Sequence, residues 1–130
     1  MGIVPKILMV DDDAELASII ALKLDAEGFN IKTVGDPQEG LAIAKEYQPD
    51  LILLDVNMPG MNGTEYLIEL RAMPGMKKTK VIFFTSLLNP WPATERREEM
   101  AQSLGAVGFM EKGTDLSEVV KRIREELRKE

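Results

Sequence analysis

The chain has 130 residues, a net charge of −6, no cysteine and no histidine. This length fits one domain over residues 1–130 without an output domain, and the missing residue types exclude disulfides, thiolate or imidazole metal sites and catalysis by histidine. The negative charge argues against binding to nucleic acid or to an anionic membrane, and because no signal peptide or membrane span is recognisable we expect a cytoplasmic protein.

Five short runs rich in apolar residues predict five β-strands. They comprise residues 7–10, 29–34, 51–54, 81–84 and 107–111. A run of four apolar residues is too short for a buried helix and is typical of a strand covered on both faces. The alternation of apolar and polar residues in 29–34 favours an edge strand instead. The prolines of residues 87–93 predict an irregular segment after the fourth strand.

A helical pattern follows each of these strands. Apolar spacing predicts helices over about residues 13–27, 36–47, 64–72 and 93–104, and a last helix after residue 114. Asp13 is expected to cap the first helix, which Gly28 ends, and Asp36 with Glu39 forms a capping box ahead of the second. Thr114 is the candidate cap of the last helix. Strand and helix therefore alternate five times, which predicts an α/β fold with a doubly wound, five-stranded parallel sheet and five helices.

Polar residues stand at the carboxyl ends of four of the five strands. They are Asp11, Asp12 and Asp13 after the first strand, Asp55 after the third, Thr85 and Ser86 after the fourth, and Lys112 after the fifth. In the flavodoxin-like strand order 2-1-3-4-5, the first and third strands are neighbours at the point where ligands bind such sheets. Their acids would then converge on one site.

Converging carboxylates repel one another unless a positive charge lies between them. In a chain without histidine, the candidates for that charge are Lys112 and a divalent cation. Mg²⁺ (or Mn²⁺) suits such a site, because it binds carboxylate oxygens and leaves positions open for water and a phosphoryl oxygen. A carboxylate beside this ion can accept a phosphoryl group, whose charge the ion, Lys112 and Thr85 would balance. Asp55 is the candidate acceptor.

These motifs resemble the receiver domain of bacterial two-component response regulators (CheY-like), and the resemblance covers residues 6–127. It is carried by Asp11-Asp12, by Asp55 within Leu-Asp-Val-Asn-Met-Pro-Gly-Met-Asn-Gly, by Thr85-Ser86 and by Lys112. The same resemblance favours the strand order 2-1-3-4-5. It implies a stand-alone switch rather than an enzyme, phosphorylated by a sensor histidine kinase or a phosphotransfer protein. No nucleic acid and no membrane are expected as partners.

The resemblance also implies a role for each motif residue. Asp55 is the phosphoacceptor, Asp12 the main carboxylate ligand of the metal, and Asp11 its indirect helper, while the backbone carbonyl of Asn57 is a further metal ligand. Lys112 and Thr85 bind the phosphoryl group. Thr85 with Phe109, three residues before the lysine, forms the switch, which reshapes the face made by the fourth helix, fifth strand and fifth helix toward a downstream protein. A homodimer through the last two helices is left open.

The chain departs from this family at two places. Gly113 stands where the family usually has proline after the lysine, which predicts a more mobile loop around Lys112. Asn89-Pro90-Trp91-Pro92 resembles an insertion between Thr85 and Lys112.

Two alternative functions stay open at this point. Asp11-Asp12-Asp13 also resembles the nucleophile motif of haloacid-dehalogenase-type phosphatases, with Asp11 as nucleophile. That family has threonine or valine two residues after the second acid, where this chain has Glu15. The departures at Gly113 and at residues 89–92 leave a second alternative, a pseudo-receiver that serves as an interaction scaffold without phosphorylation.

Overall fold

The computed structural model describes residues 4–86 and 94–129, and for 94–98 it describes the backbone only. Five strands form one sheet in the order β2-β1-β3-β4-β5, and all paired neighbours are parallel. The elements in chain order are β1 (Lys6–Val10), α1 (Ala14–Ala26), β2 (Asn30–Val34), α2 (Pro37–Tyr47), β3 (Leu51–Asp55), α3 (Gly63–Ala72), β4 (Lys80–Thr85), α4 (Thr94–Ser103), β5 (Gly108–Glu111) and α5 (Leu116–Arg128). The predicted doubly wound fold and its strand order are confirmed.

Two apolar layers cover the two faces of the sheet. One buried cluster joins alternate residues of the central strands, such as Leu8 and Ile52, to α2, α3 and α4. The other joins the intervening residues, such as Met9 and Leu53, to α1 and α5. β1, β3 and β4 are buried along almost their whole length, while β2 lies at one edge with mostly exposed side chains, as its alternating pattern predicts. Among the described residues, no helix is long and apolar enough to cross a bilayer.

Polar caps fix the starts of the first three helices. Asp13 and Asp36 accept the backbone N–H groups of residues 16 and 39, which confirms both as N-caps. The capping box predicted at Asp36 and Glu39 forms only through the Asp36 side chain, and the Glu39 half of that prediction is wrong. Among the described residues the reciprocal box lies at Asn62 and Glu65, so that α3 begins one residue earlier than predicted. Each of these helices returns across the sheet after the loop that follows its strand, residues 11–13, 35–36 and 56–62, and these loops form the carboxyl edge.

Thr114 does not cap α5, and that prediction is wrong. The N-cap is Asp115, whose Oδ1 accepts the Ser117 amide at 2.8 Å. The Thr114 hydroxyl instead donates to the Glu111 carbonyl at 2.6 Å, and the Thr114 amide donates to the same oxygen at 3.1 Å. Both residues are good cap formers, and the path of the preceding turn decides between them. The predicted irregular segment and insertion at residues 87–93 lie outside the described residues.

Candidate functional site

Asp55 ends the central strand β3 at the carboxyl edge of the sheet. Only 4% of the residue is exposed to solvent. Its Oδ2 lies 3.3 Å from the Lys112 ammonium, and its Oδ1 accepts the Asn57 amide at 3.2 Å. Asn57 itself is exposed at the start of the following loop. The strand thus holds a single carboxylate at the rim with one oxygen fixed by backbone and the other facing a cation.

Asp11 follows the neighbouring strand β1 and faces the same lysine. It is 2% exposed, and its Oδ2 and Oδ1 lie 3.0 and 3.2 Å from the Lys112 ammonium. The Asp13 amide donates to Oδ1 at 2.8 Å. Lys112, which follows β5, therefore bridges the carboxylates of two adjacent strands, as the strand order predicts.

Asp11, Asp12 and Asp55 form a cluster whose nearest carboxylate oxygens lie within 4.8 Å of one another. Asp12 is exposed, so the cluster opens toward solvent on its side. Asp11 Oδ2 is buried and, although it pairs with Lys112, makes no hydrogen bond of good geometry. Three hard oxygen donors, one of them short of partners, fit a divalent cation such as Mg²⁺. The residues present therefore suit the predicted metal.

Crowding perturbs the ionisation of these groups. Burial and the nearby charge of Asp11 raise the pKa of Asp55 to about 7, against the opposing effects of Lys112 and the Asn57 amide. Burial lowers the pKa of Lys112, but its contacts with Asp11 and Asp55 outweigh burial and raise that pKa overall. Keeping both carboxylates ionised in this pocket therefore costs free energy, and a bound cation would lower that cost.

Thr85 ends β4 beside this cluster. It is fully buried, and its hydroxyl has no hydrogen-bond partner. Its backbone carbonyl accepts the Lys112 amide at 2.6 Å, which ties the end of β4 to the loop after β5. Ser86 is only half-buried. An unpaired buried hydroxyl is costly, and its position at this edge points to a ligand that would pair with it.

Phe109 lies on β5 in the α2–α3–α4 layer and is 6% exposed. It pairs in register with Phe83, two residues before Thr85 along β4, so Phe109 and Thr85 lie on the same face of the sheet. The predicted switch residues are thus near neighbours, and Phe109 is already buried. Any movement of the Phe109 side chain during switching would therefore start from a buried position.

Gly63 is a residue of the site that the sequence analysis missed. A Cβ atom there would lie 3.0 Å from Val56 Cα and 3.1 Å from the Asp55 carbonyl oxygen. Its amide also donates to the Val56 carbonyl at 2.8 Å. Only glycine lets α3 approach the backbone of the acceptor strand so closely. The signal in the sequence was a glycine directly after the Asn62 cap.

Comparisons with known proteins agree with this geometry. The family model of the response regulator receiver domain matches residues 7–124. The DNA-binding response regulator MtrA of Mycolicibacterium paratuberculosis is 35% identical over 95% of this chain and 52% of its own length. For the transcriptional regulatory protein CpxR of Klebsiella pneumoniae, the values are 40%, 95% and 50%. The chain therefore spans about half the length of these curated relatives.

Solved structures give the same result. The chemotaxis response regulator CheY4 of Vibrio cholerae superposes with a TM-score of 0.82 at 27% identity, over 95% of this chain and 98% of that one. The BeF3-activated N-terminal receiver domain of Klebsiella pneumoniae RstA has a TM-score of 0.81 at 25% identity, over 95% and 99%. Fold, acidic cluster and sequence similarity together show that this chain belongs to the response regulator receiver domain family, whose members are the signalling domains of two-component systems.

Proposed function

We propose that this domain accepts a phosphoryl group on Asp55 and changes its partner binding in response. The observation that carries the proposal is the single ammonium of Lys112 shared by two buried carboxylates, at 3.0 Å from Asp11 and 3.3 Å from Asp55. A lysine so placed lies close to where the oxygens of an incoming phosphoryl group would lie. A solvent-exposed lysine of ordinary surface character would not bridge two strands in this way.

The transfer step follows from the positions of these groups. An Asp55 carboxylate oxygen attacks phosphorus of a phosphohistidine on a sensor histidine kinase or phosphotransfer protein, an oxygen–phosphorus bond forms, and the phosphorus–nitrogen bond breaks. The imidazole leaves with the bonding electron pair and takes a proton from water. The chain then carries an aspartyl-phosphate. Lys112 neutralises one phosphoryl oxygen, and the Thr85 hydroxyl donates to another.

Asp11, Asp12, Asp55 and the backbone carbonyl of Asn57 would hold the cation, Mg²⁺ or Mn²⁺. The ion, when bound, neutralises charge on the phosphoryl oxygens and on the crowded carboxylates. Asp12 is the exposed member of the cluster, so it would be first to meet the hydrated ion. Asp11 contacts Lys112 through both oxygens, which suits the indirect role predicted for it.

The signal would leave the site through Thr85 and Phe109. When the Thr85 hydroxyl pairs with the phosphoryl group, the carboxyl end of β4 shifts toward Asp55. The neighbouring strand β5 follows, because the Lys112 backbone amide after β5 donates a hydrogen bond to the Thr85 carbonyl. The face made by α4, β5 and α5 would then present a different surface to a downstream protein. MtrA is named as DNA-binding, but with a net charge of −6 we propose a protein partner for this chain rather than nucleic acid.

Incubation with Mg²⁺ and acetyl phosphate, followed by intact mass spectrometry, tests the proposal. We expect one phosphoryl adduct on the native chain and none on Asp55→Asn. Beryllofluoride, the activator named for the RstA receiver, should bind with the same dependence on Asp55. Steady turnover of acetyl phosphate that requires Asp11 would instead support a phosphatase. No adduct and no beryllofluoride binding would support an unphosphorylated scaffold.

A further inference from the structure

The loop that carries Lys112 is closed by a pair of hydrogen bonds to one carbonyl. Gly113 has a φ of 96°, a conformation that glycine adopts freely and proline cannot adopt. Nothing lies within 4 Å of the position of a Cβ atom at Gly113, so packing does not hold this residue. Instead, the Glu111 carbonyl accepts both the amide and the hydroxyl of Thr114, at 3.1 and 2.6 Å. The mobility predicted from Gly113 is opposed by these bonds.

We propose that Thr114 is a positioning residue for Lys112. The proposal rests on the phosphoryl acceptance by Asp55 described above. The two bonds to Glu111 close a turn over residues 111–114 that contains Lys112, and the Lys112 amide is anchored on its other side by the Thr85 carbonyl at 2.6 Å. With both ends of the turn fixed, the lysine side chain leaves the backbone in one direction, toward Asp11 and Asp55.

The Thr114 hydroxyl supplies the part of this closure that the backbone alone does not. The hydrogen bond from the backbone amide of residue 114 to the Glu111 carbonyl would form with any residue except proline at position 114, whereas the second donor requires a hydroxyl on Cβ. A carbonyl oxygen with two donors restricts the turn more than one with a single donor. The hydroxyl does not cap α5, because Asp115 does so through the Ser117 amide. Positioning the lysine is therefore the distinct contribution of Thr114.

Thr114→Val removes the hydroxyl and keeps the shape of the side chain. We expect the initial rate of phosphoryl acceptance from acetyl phosphate to fall about fivefold to tenfold, the factor that corresponds to losing one hydrogen bond that holds Lys112 in place. Mg²⁺ affinity, measured by calorimetry, should not fall, because Thr114 contacts none of the clustered carboxylates in the described contacts. Thr114→Ser should restore the rate, since serine supplies the same donor.

Thr79→Val is the matched control. Thr79 is a buried threonine, whereas Thr114 is half-buried, and the Thr79 hydroxyl bonds only weakly, to the Met76 sulfur at 3.7 Å, in the loop before β4. This variant should leave the phosphorylation rate unchanged. A native rate in Thr114→Val, or an equal loss of rate and Mg²⁺ affinity in that variant, would overturn the positioning role.

Amide hydrogen exchange separates failure of this inference from failure of the proposed function. Exchange of the Lys112 amide, measured by NMR without phosphate donor, should be about fivefold to tenfold faster in Thr114→Val than in the native chain. If the native chain accepts no phosphoryl group, the proposed function fails, and the exchange rates still report whether Thr114 holds the loop. Unchanged exchange in Thr114→Val would contradict that hold whatever the outcome of phosphorylation.

Discussion

The sheet has an amino edge, at which its parallel strands begin, and a carboxyl edge, at which they end, and polar groups are arranged in opposite ways at the two. At the amino edge, where the strands begin, Arg71 donates to the carbonyls of Met76, Thr79 and Gly105 at 2.8, 2.7 and 3.0 Å. Lys80 donates to two carbonyls at the end of α5. Each of these cations is surrounded by oxygen acceptors and has no competing charge of its own sign among those contacts. The polar contacts at the amino edge therefore stabilise the fold.

The carboxyl edge holds buried charge in excess. Asp11 and Asp55 share the single ammonium of Lys112, and the Thr85 hydroxyl has no partner. The two buried polar side-chain atoms without a hydrogen bond, among the described residues, both lie here, on Asp11 and Thr85. A native fold tolerates such groups where a ligand will later satisfy them. The contrast therefore locates the functional site without reference to any relative.

Arg71→Met tests the amino edge and should have the largest effect on stability. The change leaves three carbonyls short of a donor, so we expect the free energy of unfolding in urea to fall by about 3 kcal/mol. Mg²⁺ affinity of the folded protein should not change, because the arginine lies at the other end of the sheet from the acids. Lys45→Met, at an exposed position of α2, is the control and should stay within about 0.5 kcal/mol of the native chain.

A loss well below 1 kcal/mol for Arg71→Met would contradict the comparison. The amino edge would then depend on the backbone ladder alone. A loss of Mg²⁺ affinity in the folded variant would show instead that the two edges are coupled.

Asp55→Asn tests the carboxyl edge and should stabilise the metal-free protein. The pKa of Asp55 is raised from 3.8 to about 7, so the folded chain holds a proton between these values that the unfolded chain has lost. The stability that this group contributes is therefore complete below pH 3.8 and is lost as the pH rises through about 7. We expect the variant to be more stable than the native chain by about 2 kcal/mol near pH 8.

Thermal unfolding across pH, in the presence of a chelator, measures this difference. The gap between the Asp55→Asn variant and the native chain should close as the pH falls toward the ordinary pKa of an aspartate. A gap that is constant with pH would mean that the asparagine acts through packing. A less stable variant near pH 8 would show that the Lys112 contact outweighs the crowding.

Much of this contrast could be predicted from the sequence, because it follows from short-range patterns. Apolar runs ending in Asp11, Asp55 and Thr85 placed three polar groups at the carboxyl edge once the strands were parallel. The caps at Asp13 and Asp36 were also local, since each requires only a side-chain oxygen three residues before a free amide. Local chemistry of this kind does not depend on the rest of the fold.

Other features depend on approaches between distant segments. The steric demand at Gly63 arises from the acceptor strand passing beneath α3, and no local pattern measures that distance. Thr114 and Asp115 are adjacent and both able to cap, so the left-handed turn at Gly113 decides which one does. The raised pKa of Asp55 likewise needs Asp11 to arrive from another strand. Sequence patterns identified Asp55 and Thr114 as candidate residues, but they identified neither Gly63 nor these long-range interactions.

We expect the Mg²⁺ affinity of the carboxyl edge to depend on pH. At the proposed site the ion would bind the ionised form of Asp55, and below a pKa of about 7 it would have to displace a proton from that carboxyl. Affinity measured by calorimetry should therefore rise by up to about tenfold per pH unit from pH 5 to 7 and level off above. In Asp55→Asn the slope should be absent. An unchanged slope in that variant would assign the proton to another member of the cluster.

Thr85→Val should have the smallest effect on stability, and its sign is informative. Burying a hydroxyl without a partner costs free energy, so a valine of the same shape should leave the unphosphorylated protein as stable as the native chain or more stable by up to about 1 kcal/mol. If a threonine hydroxyl makes a hydrogen bond within the folded protein, the same change to valine destabilises the protein. Urea unfolding of the metal-free variant distinguishes the two cases. A loss of more than about 1 kcal/mol would mean that the hydroxyl is satisfied in solution, and the carboxyl edge would then lose one of the two groups that set it apart.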